Sequence, residues 1–228
     1  MASSNTSTPQ EIPCQGILFD MDGILISSLG SVERCWTRWS EMRGIDPEYA
    51  CRMAHGCRSI DTVALLRPDL DAQAENDLIE GMEVEDTEGI LVLPGVLDLL
   101  KALPPERWTV VTSATDRLAR VRLAAGGVPV PERLITAESV TEGKPLPAPY
   151  LAGAALLGFA PEECVVFEDA ASGTKAGRAA GCTVVATTFS HPIETLDAAD
   201  YLIEDLTGVR VETLADGEGL LVKLTPLG

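Results

Sequence analysis

Residues 16–23 read Gly-Ile-Leu-Phe-Asp-Met-Asp-Gly, a short apolar run that ends abruptly in two carboxylates and a glycine. An apolar run of this length, with no polar alternation, predicts a strand buried on both faces of a parallel sheet. Comparable runs recur at residues 108–112, 164–167 and 183–186. Between them lie stretches rich in Ala and Leu that predict helices at 95–103, 116–125, 148–157 and 172–180, several of them stopping at a glycine (Gly126, Gly158, Gly181) as helix C-termini often do. Strand followed by helix, repeated, predicts an α/β fold with a Rossmann-like, doubly wound parallel sheet.

The rhythm breaks after the first strand. Residues 28–93 offer helical patterns at 32–43, 59–66 and 72–84 and no convincing strand, which predicts an inserted α-helical cap. Pro94-Gly95 marks the return to the core, so the expected division is core at 16–27 and 94–228 with the cap at 28–93. An insertion at that point hangs over the carboxyl ends of the strands, where a lid belongs. Val32, Trp36 and Trp39 fall on one face at helical spacing, which predicts packing inside the cap. The polar start MASSNTSTPQ predicts a frayed tail, taken as disordered through residue 15.

Asp20 and Asp22 are two positions apart in extended chain and share a face. Two carboxylates facing one way raise each other's pKa unless a cation or a proton separates their roles. A pair of turn aspartates ahead of Gly23 would look the same in isolation. In a functional reading, Asp20 is ionised at neutral pH and can attack phosphorus without a base. Asp22 can protonate the leaving alkoxide and then deprotonate the attacking water.

Carboxylate and phosphate repel by about 4 kcal/mol per charge pair at about 4 Å with an effective dielectric near 20, so this chemistry demands cations. FEDA at 167–170 supplies a second acidic pair at a strand end. Asp169 is the expected metal ligand beside Asp20, with Glu168 as its supporting carboxylate, and hard oxygen donors suit Mg²⁺. A helix N-terminus that favours acids would also account for FEDA. VVTSAT at 110–115 places Ser113 and the Ala114 N–H where they can hold phosphate oxygens. EGKPLP at 142–147 places Lys144 before a proline, hence in extended chain, where it can pair with Asp20 and the phosphate.

Composition limits the partners. Hydrophobic residues at 46% and charged residues at 23% are globular values, so wholesale disorder is excluded. The net charge of −18 repels nucleic acid and anionic membranes, which leaves a small phosphorylated molecule as the expected partner. No apolar stretch approaches the roughly 18–20 residues of a membrane span. Six scattered cysteines, without a C-x-x-C pair or a signal-like start, predict free thiols in a cytoplasmic protein. A monomer needs no special surface, so a monomer or weak homodimer is the expectation.

Taken in order, FDMDG, VVTSAT, EGKP and FEDA resemble the four motifs of the haloacid dehalogenase superfamily, and the helical insertion resembles that of its cap-bearing first subfamily. The match runs from about residue 16 to 206. It implies a Mg²⁺-dependent phosphatase working through an aspartyl-phosphate, with Mg²⁺ held by Asp20, Asp169 and the Asp22 backbone carbonyl, and a cap that closes to exclude water. The segment HGCRSID, residues 55–61, resembles the substrate loop of sugar-phosphate and glycerol-phosphate phosphatases, 2-deoxyglucose-6-phosphate phosphatase among them, which implies that Arg58 reaches toward substrate.

Three positions depart from the common pattern: Ile24, Ser27, and Leu146, where relatives usually carry Thr, Asp and Asp; the last implies looser ordering around Lys144. β-Phosphoglucomutase shares all four motifs, but Val32 stands where that mutase carries a histidine, which favours transfer of phosphate to water. A non-catalytic phosphometabolite-binding protein is the remaining alternative, disfavoured by the intact set Asp20, Asp22, Lys144 and Asp169.

Overall fold

A computed structural model describes residues 8–214 and 217–227. The apolar runs form a five-stranded parallel sheet. Its members are β2 (Gly16–Phe19), β5 (Trp108–Val110), β6 (Cys164–Glu168), β7 (Thr183–Thr187) and β8 (Tyr201–Ile203), in the order β5-β2-β6-β7-β8. Every residue of β2 and β6 is buried, as strands covered on both faces by helices must be. Phe19 stacks on Phe167 at 5.3 Å and meets Trp108 edge-on at 6.1 Å, locking the three neighbouring strands together. From β2 the chain goes first to β5 on one side and later to β6 on the other. The carboxyl ends of these strands therefore flank a crevice at a reversal of winding, the place where open α/β sheets bind ligands.

The covering helices are α5 (Val96–Ala102), α6 (Asp116–Ala125), α7 (Ala148–Leu157) and α8 (Ala171–Ala180). α7 and α8 end as predicted on left-handed glycines, Gly158 and Gly181. α6 differs: Gly126 is still right-handed, and Gly127 takes the positive φ instead.

Four helices lie between the short paired strands β3 (Ile26–Ser27) and β4 (Leu91–Val92): α1 (Leu29–Arg43), α2 (Pro47–Ala54), α3 (Ser59–Leu66) and α4 (Ala72–Glu85). They enclose their own core of Trp36, Trp39, Ala50, Val63 and Ile79. Trp36 meets Trp39 edge-on at 5.3 Å, and the Trp39 indole N–H donates to Glu75, as packing inside the insert requires. α2 is additional to the three helices expected in the insert; Asp46 caps it and Pro47 occupies its first turn, both signals of a helix start.

The amino-terminal tail is corrected in part. Residues 1–7 lie outside the described residues, but β1 (Gln10–Cys14) pairs antiparallel with β10 (Leu220–Leu224), which pairs with β9 (Arg210–Thr213). Ile12 and Cys14 on β1 and Leu220, Val222 and Leu224 on β10 turn inward and close one end of the main core. Period-2 alternation, rather than a continuous apolar run, marks these strands. No helix among the described residues is long and apolar enough to cross a membrane.

Candidate active site

Three strand ends and one loop deliver the site. Asp20 follows β2, Ser113 and Ala114 follow β5, Glu168 and Asp169 close β6, and Lys144 precedes α7. The Lys144 ammonium is buried and donates to Asp20 Oδ1 at 2.7 Å, Glu168 Oε1 at 2.7 Å and the Val111 carbonyl at 3.1 Å. Its three protons are thereby matched by three acceptors. The loosening expected from Leu146 is not seen at Lys144, and Leu146 itself is exposed. Asp20 Oδ2 accepts no hydrogen bond among the described residues and lies on the cavity between core and insert.

Asp20, Glu168 and Asp169 each place one carboxylate oxygen within 4.8 Å of the others. Their surroundings differ. Glu168 Oε1 accepts from Lys144 and from the Tyr150 hydroxyl at 2.7 Å, and Oε2 from the backbone N–H groups of Asp169 at 2.9 Å and Ala170 at 3.1 Å. All its lone pairs are engaged, so it is an anchor for Lys144 rather than the free metal-supporting carboxylate expected. Asp169 accepts a hydrogen bond from Ser190 on Oδ2 and keeps Oδ1 free of hydrogen bonds among the described residues.

The electrostatics follow from burial. Desolvation pushes the Asp20 carboxyl up to about 7, with Lys144 pulling it back and Glu168 adding to the rise. Asp169 is raised well above the carboxylate range by burial and by the charges of Glu168 and Asp20. Burial opposes ionisation of Glu168 too, but Lys144 and the hydrogen bonds from Lys144, Tyr150 and the backbone overcome it and hold Glu168 low. Burial disfavours the Lys144 cation, yet Asp20 and Glu168 raise its pKa above the ordinary lysine value. With Glu168 already taking up the Lys144 charge, ionising both Asp20 and Asp169 leaves the group short of two positive charges.

Asp22 faces the same cavity. Its Oδ1 accepts from the Ser28 hydroxyl and its Oδ2 from Arg122 Nη1 at 3.2 Å. Gly23, at φ 83°, turns the chain directly against Asp169: a Cβ there would lie 1.7 Å from Asp169 Oδ2. Ser113 and Ala114 also line the cavity, with the Ser113 hydroxyl 3.4 Å from the Gly56 carbonyl of the insert and the Ala114 N–H donating to Thr112 Oγ1. Arg58 is not brought to this group. Its guanidinium forks onto Asp61 at 2.7 and 2.9 Å and reaches the Val140 carbonyl at 3.2 Å, in a neighbouring depression behind Lys144.

The model of the haloacid dehalogenase-like hydrolase family matches residues 14–181. The chain belongs to this family. It is 39% identical over 213 residues to hexitol phosphatase A of Escherichia coli (strain K12), covering 91% of this chain and 99% of that protein. It is 34% identical over 220 residues to glycerol-1-phosphate phosphohydrolase 2 of Saccharomyces cerevisiae, covering 90% and 88%. The crystal structure of a hydrolase from Pseudomonas syringae superposes with a TM-score of 0.76 at 24% identity over 85% of this chain and 94% of that one, a likeness of fold.

Within this haloacid dehalogenase-like site, six residues contribute that lie outside the four motifs: Ser28, Glu83, Arg122, Tyr150, Ser190 and His191. Arg122 carried a signal, because α6 buries positions 118, 119, 122 and 123 and an arginine interrupts that apolar face. Ser28, not the neighbouring Ser27, is the serine that bonds Asp22. His55 of the insert and His191 of the core, the only histidines in the chain, face each other edge-on at 6.0 Å across the cavity. Burial lowers both pKa values, and for His55 the charge of His191 lowers it further. His191 Nδ1 is 2.6 Å from Ser190 Oγ, which holds Asp169. Nothing in sequence spacing joins a loop after β7 to one between α2 and α3.

Proposed function

We propose that this chain is a Mg²⁺-dependent phosphoric monoester hydrolase acting on a small sugar, polyol or glycerol phosphate. The observation that carries this reading is the posture of Asp20, a buried carboxylate tied by Oδ1 to Lys144 with Oδ2 open to the cavity. Oδ2 attacks phosphorus and forms an acyl phosphate, and the ester oxygen leaves with a proton from Asp22. Asp22 then takes a proton from water, whose oxygen attacks the same phosphorus, and Asp20 is released with inorganic phosphate. Ser113, the Ala114 N–H and Lys144 hold the phosphate oxygens once these donors turn from their present partners.

The acidic group fits a magnesium ion: hard oxygens, one free on Asp20 and one on Asp169, and a deficit of positive charge created by burial and by the neighbouring carboxylates. Asp20, Asp169 and the Asp22 carbonyl would hold the ion. It supplies electrostatic neutralisation between the nucleophile and the phosphate. The insert, already seated against Ser113 and Ser172 through the Gly56 carbonyl, excludes bulk water. Val32 lines the cavity from α1 and can hand no proton to a second sugar hydroxyl, which supports water as acceptor over the mutase alternative. One chain supplies every residue named, consistent with a monomer, and six free thiols suit a reducing cytoplasm.

Phosphate release from a panel of hexitol, hexose and glycerol phosphates, with Mg²⁺ and with excess chelator, tests the reading. Metal-dependent release is expected. Isomerised sugar phosphate without free phosphate would replace it with the mutase.

A further inference from the structure

Arg122 is 3% exposed, yet its Nε and Nη2 have no hydrogen-bond partner, and it lines the cavity that holds Asp20 and Asp22. Its Nη1 reaches Asp22 at 3.2 Å. Nη2 lies 3.2 Å from Glu83 Oε1, close enough for an ion pair but not aligned as a hydrogen bond. Glu83 is also 3% exposed, lines the same cavity, and comes from α4 of the insert, whereas Arg122 comes from α6 of the core. A purely structural ion pair in this setting would align its fork, because each unmet buried N–H costs about 1–3 kcal/mol. The two unmet N–H groups are covered in this structure, but Arg122 and Glu83 both line the cavity of about 80 Å³, and a ligand hydroxyl that entered between them would supply the missing partner.

We propose that Arg122 and Glu83 form a receptor for substrate hydroxyl groups on the carbons next to the phosphoester, a reading that rests on the phosphatase function above. Asp22 must lie within hydrogen-bond reach of the ester oxygen to protonate it. Arg122 is one hydrogen bond beyond Asp22, so its free N–H groups address the next one or two carbons of the leaving group. A hydroxyl satisfies both partners at once, accepting from Nε or Nη2 and donating to Glu83. A second anionic group does not: one guanidinium stands between two carboxylates, Asp22 and Glu83, and a further negative charge meets net repulsion. Val32 and Trp36 offer the apolar wall for the carbon-bound hydrogens of such a chain. The subsite therefore selects a monophosphate with a neutral polyol tail. Sites built to bind a hydroxyl reject its deoxy analogue strongly, because their buried polar groups are left unpaired.

The test compares kcat/KM for sorbitol 6-phosphate, ethyl phosphate and phosphoglycolate in the wild type and in E83Q, with melting curves to verify folding. Wild type should prefer the sorbitol ester by about 10²-fold or more over ethyl phosphate. In E83Q that ratio should fall at least about tenfold, while the discrimination against phosphoglycolate relaxes. R122K, which keeps the charge and loses the fork, should lower the same ratio and serves if E83Q does not accumulate. An unchanged ratio, or a proportional loss on both uncharged-tail substrates, would assign the pair to structure alone and overturn the proposal. Absence of Mg²⁺-dependent release from every phosphate by the wild type would sink the phosphatase reading itself, and the subsite with it.

Discussion

The Tyr150 hydroxyl donates to Glu168 Oε1 at 2.7 Å, the same oxygen that accepts from Lys144. The cationic partner of Asp20 is thus steadied from behind by a carboxylate that is itself fixed by a phenol and two backbone N–H groups. Tyr150→Phe removes one donor to a buried charge. It should cost about 1.5–3 kcal/mol of stability, read from denaturant unfolding, with Lys144 less firmly aimed and kcat reduced more than KM.

Lys144→Met removes the only cation touching both Asp20 and Glu168 among the described residues. Breaking a buried ion pair from one side strands the other charge, and a loss of about 3–5 kcal/mol is expected. Restored stability in the K144M/E168Q double variant, with activity still absent, would separate folding from phosphate binding.

Asp20→Asn should lower turnover by about 10³-fold or more while leaving the fold intact. Its stability has a defined pH signature in the metal-free protein. The Asp20 carboxyl rises from its ordinary 3.8 to about 7 on folding. Between those values the folded state binds more protons than the unfolded one, so Asp20 costs stability increasingly as pH rises. The melting temperature of D20N minus that of wild type, measured in chelator, should widen over that window, and Mg²⁺ should close the gap. A constant difference across the window would mean that the Asp20 carboxyl is not raised by burial.

Gly23→Ala drives a methyl group into Asp169 at a backbone φ that also disfavours it. The Mg²⁺ concentration for half-maximal activity should rise about 10–100-fold, by displacement of a ligand. Gly127→Ala is the control: its φ is 70° but its Cβ meets nothing within 4 Å, so it should cost stability without changing the metal requirement.

What the sequence revealed was what local chemistry controls. The strands β2, β6 and β7 are continuous apolar runs, and the helices α7 and α8 are followed by the glycines that stop them. Where tertiary contact decides, local sequence is silent. Glu168 and Asp169 are adjacent in the chain, yet Glu168 gives all its lone pairs to Lys144, Tyr150 and two backbone N–H groups while Asp169 keeps Oδ1 free of hydrogen bonds among the described residues. Tyr150 and His191 reach the site only because α7 and the loop after β7 converge on it, and no spacing encodes that. β1 was hidden by Pro13, which argues against a strand except near an edge.

The insert leaves and re-enters the core through β3 and β4, where Ile26 pairs with Val92 and Ser27 with Leu91. Its two ends are therefore about 5 Å apart, the spacing of neighbouring strands. A segment so tethered occupies a single socket, and any folded unit with similarly close ends can be exchanged there while Asp20, Lys144 and Asp169 keep their places. Reaction chemistry and substrate choice are thereby open to separate inheritance, and a graft would carry away Glu83 while leaving Arg122 to find a new partner.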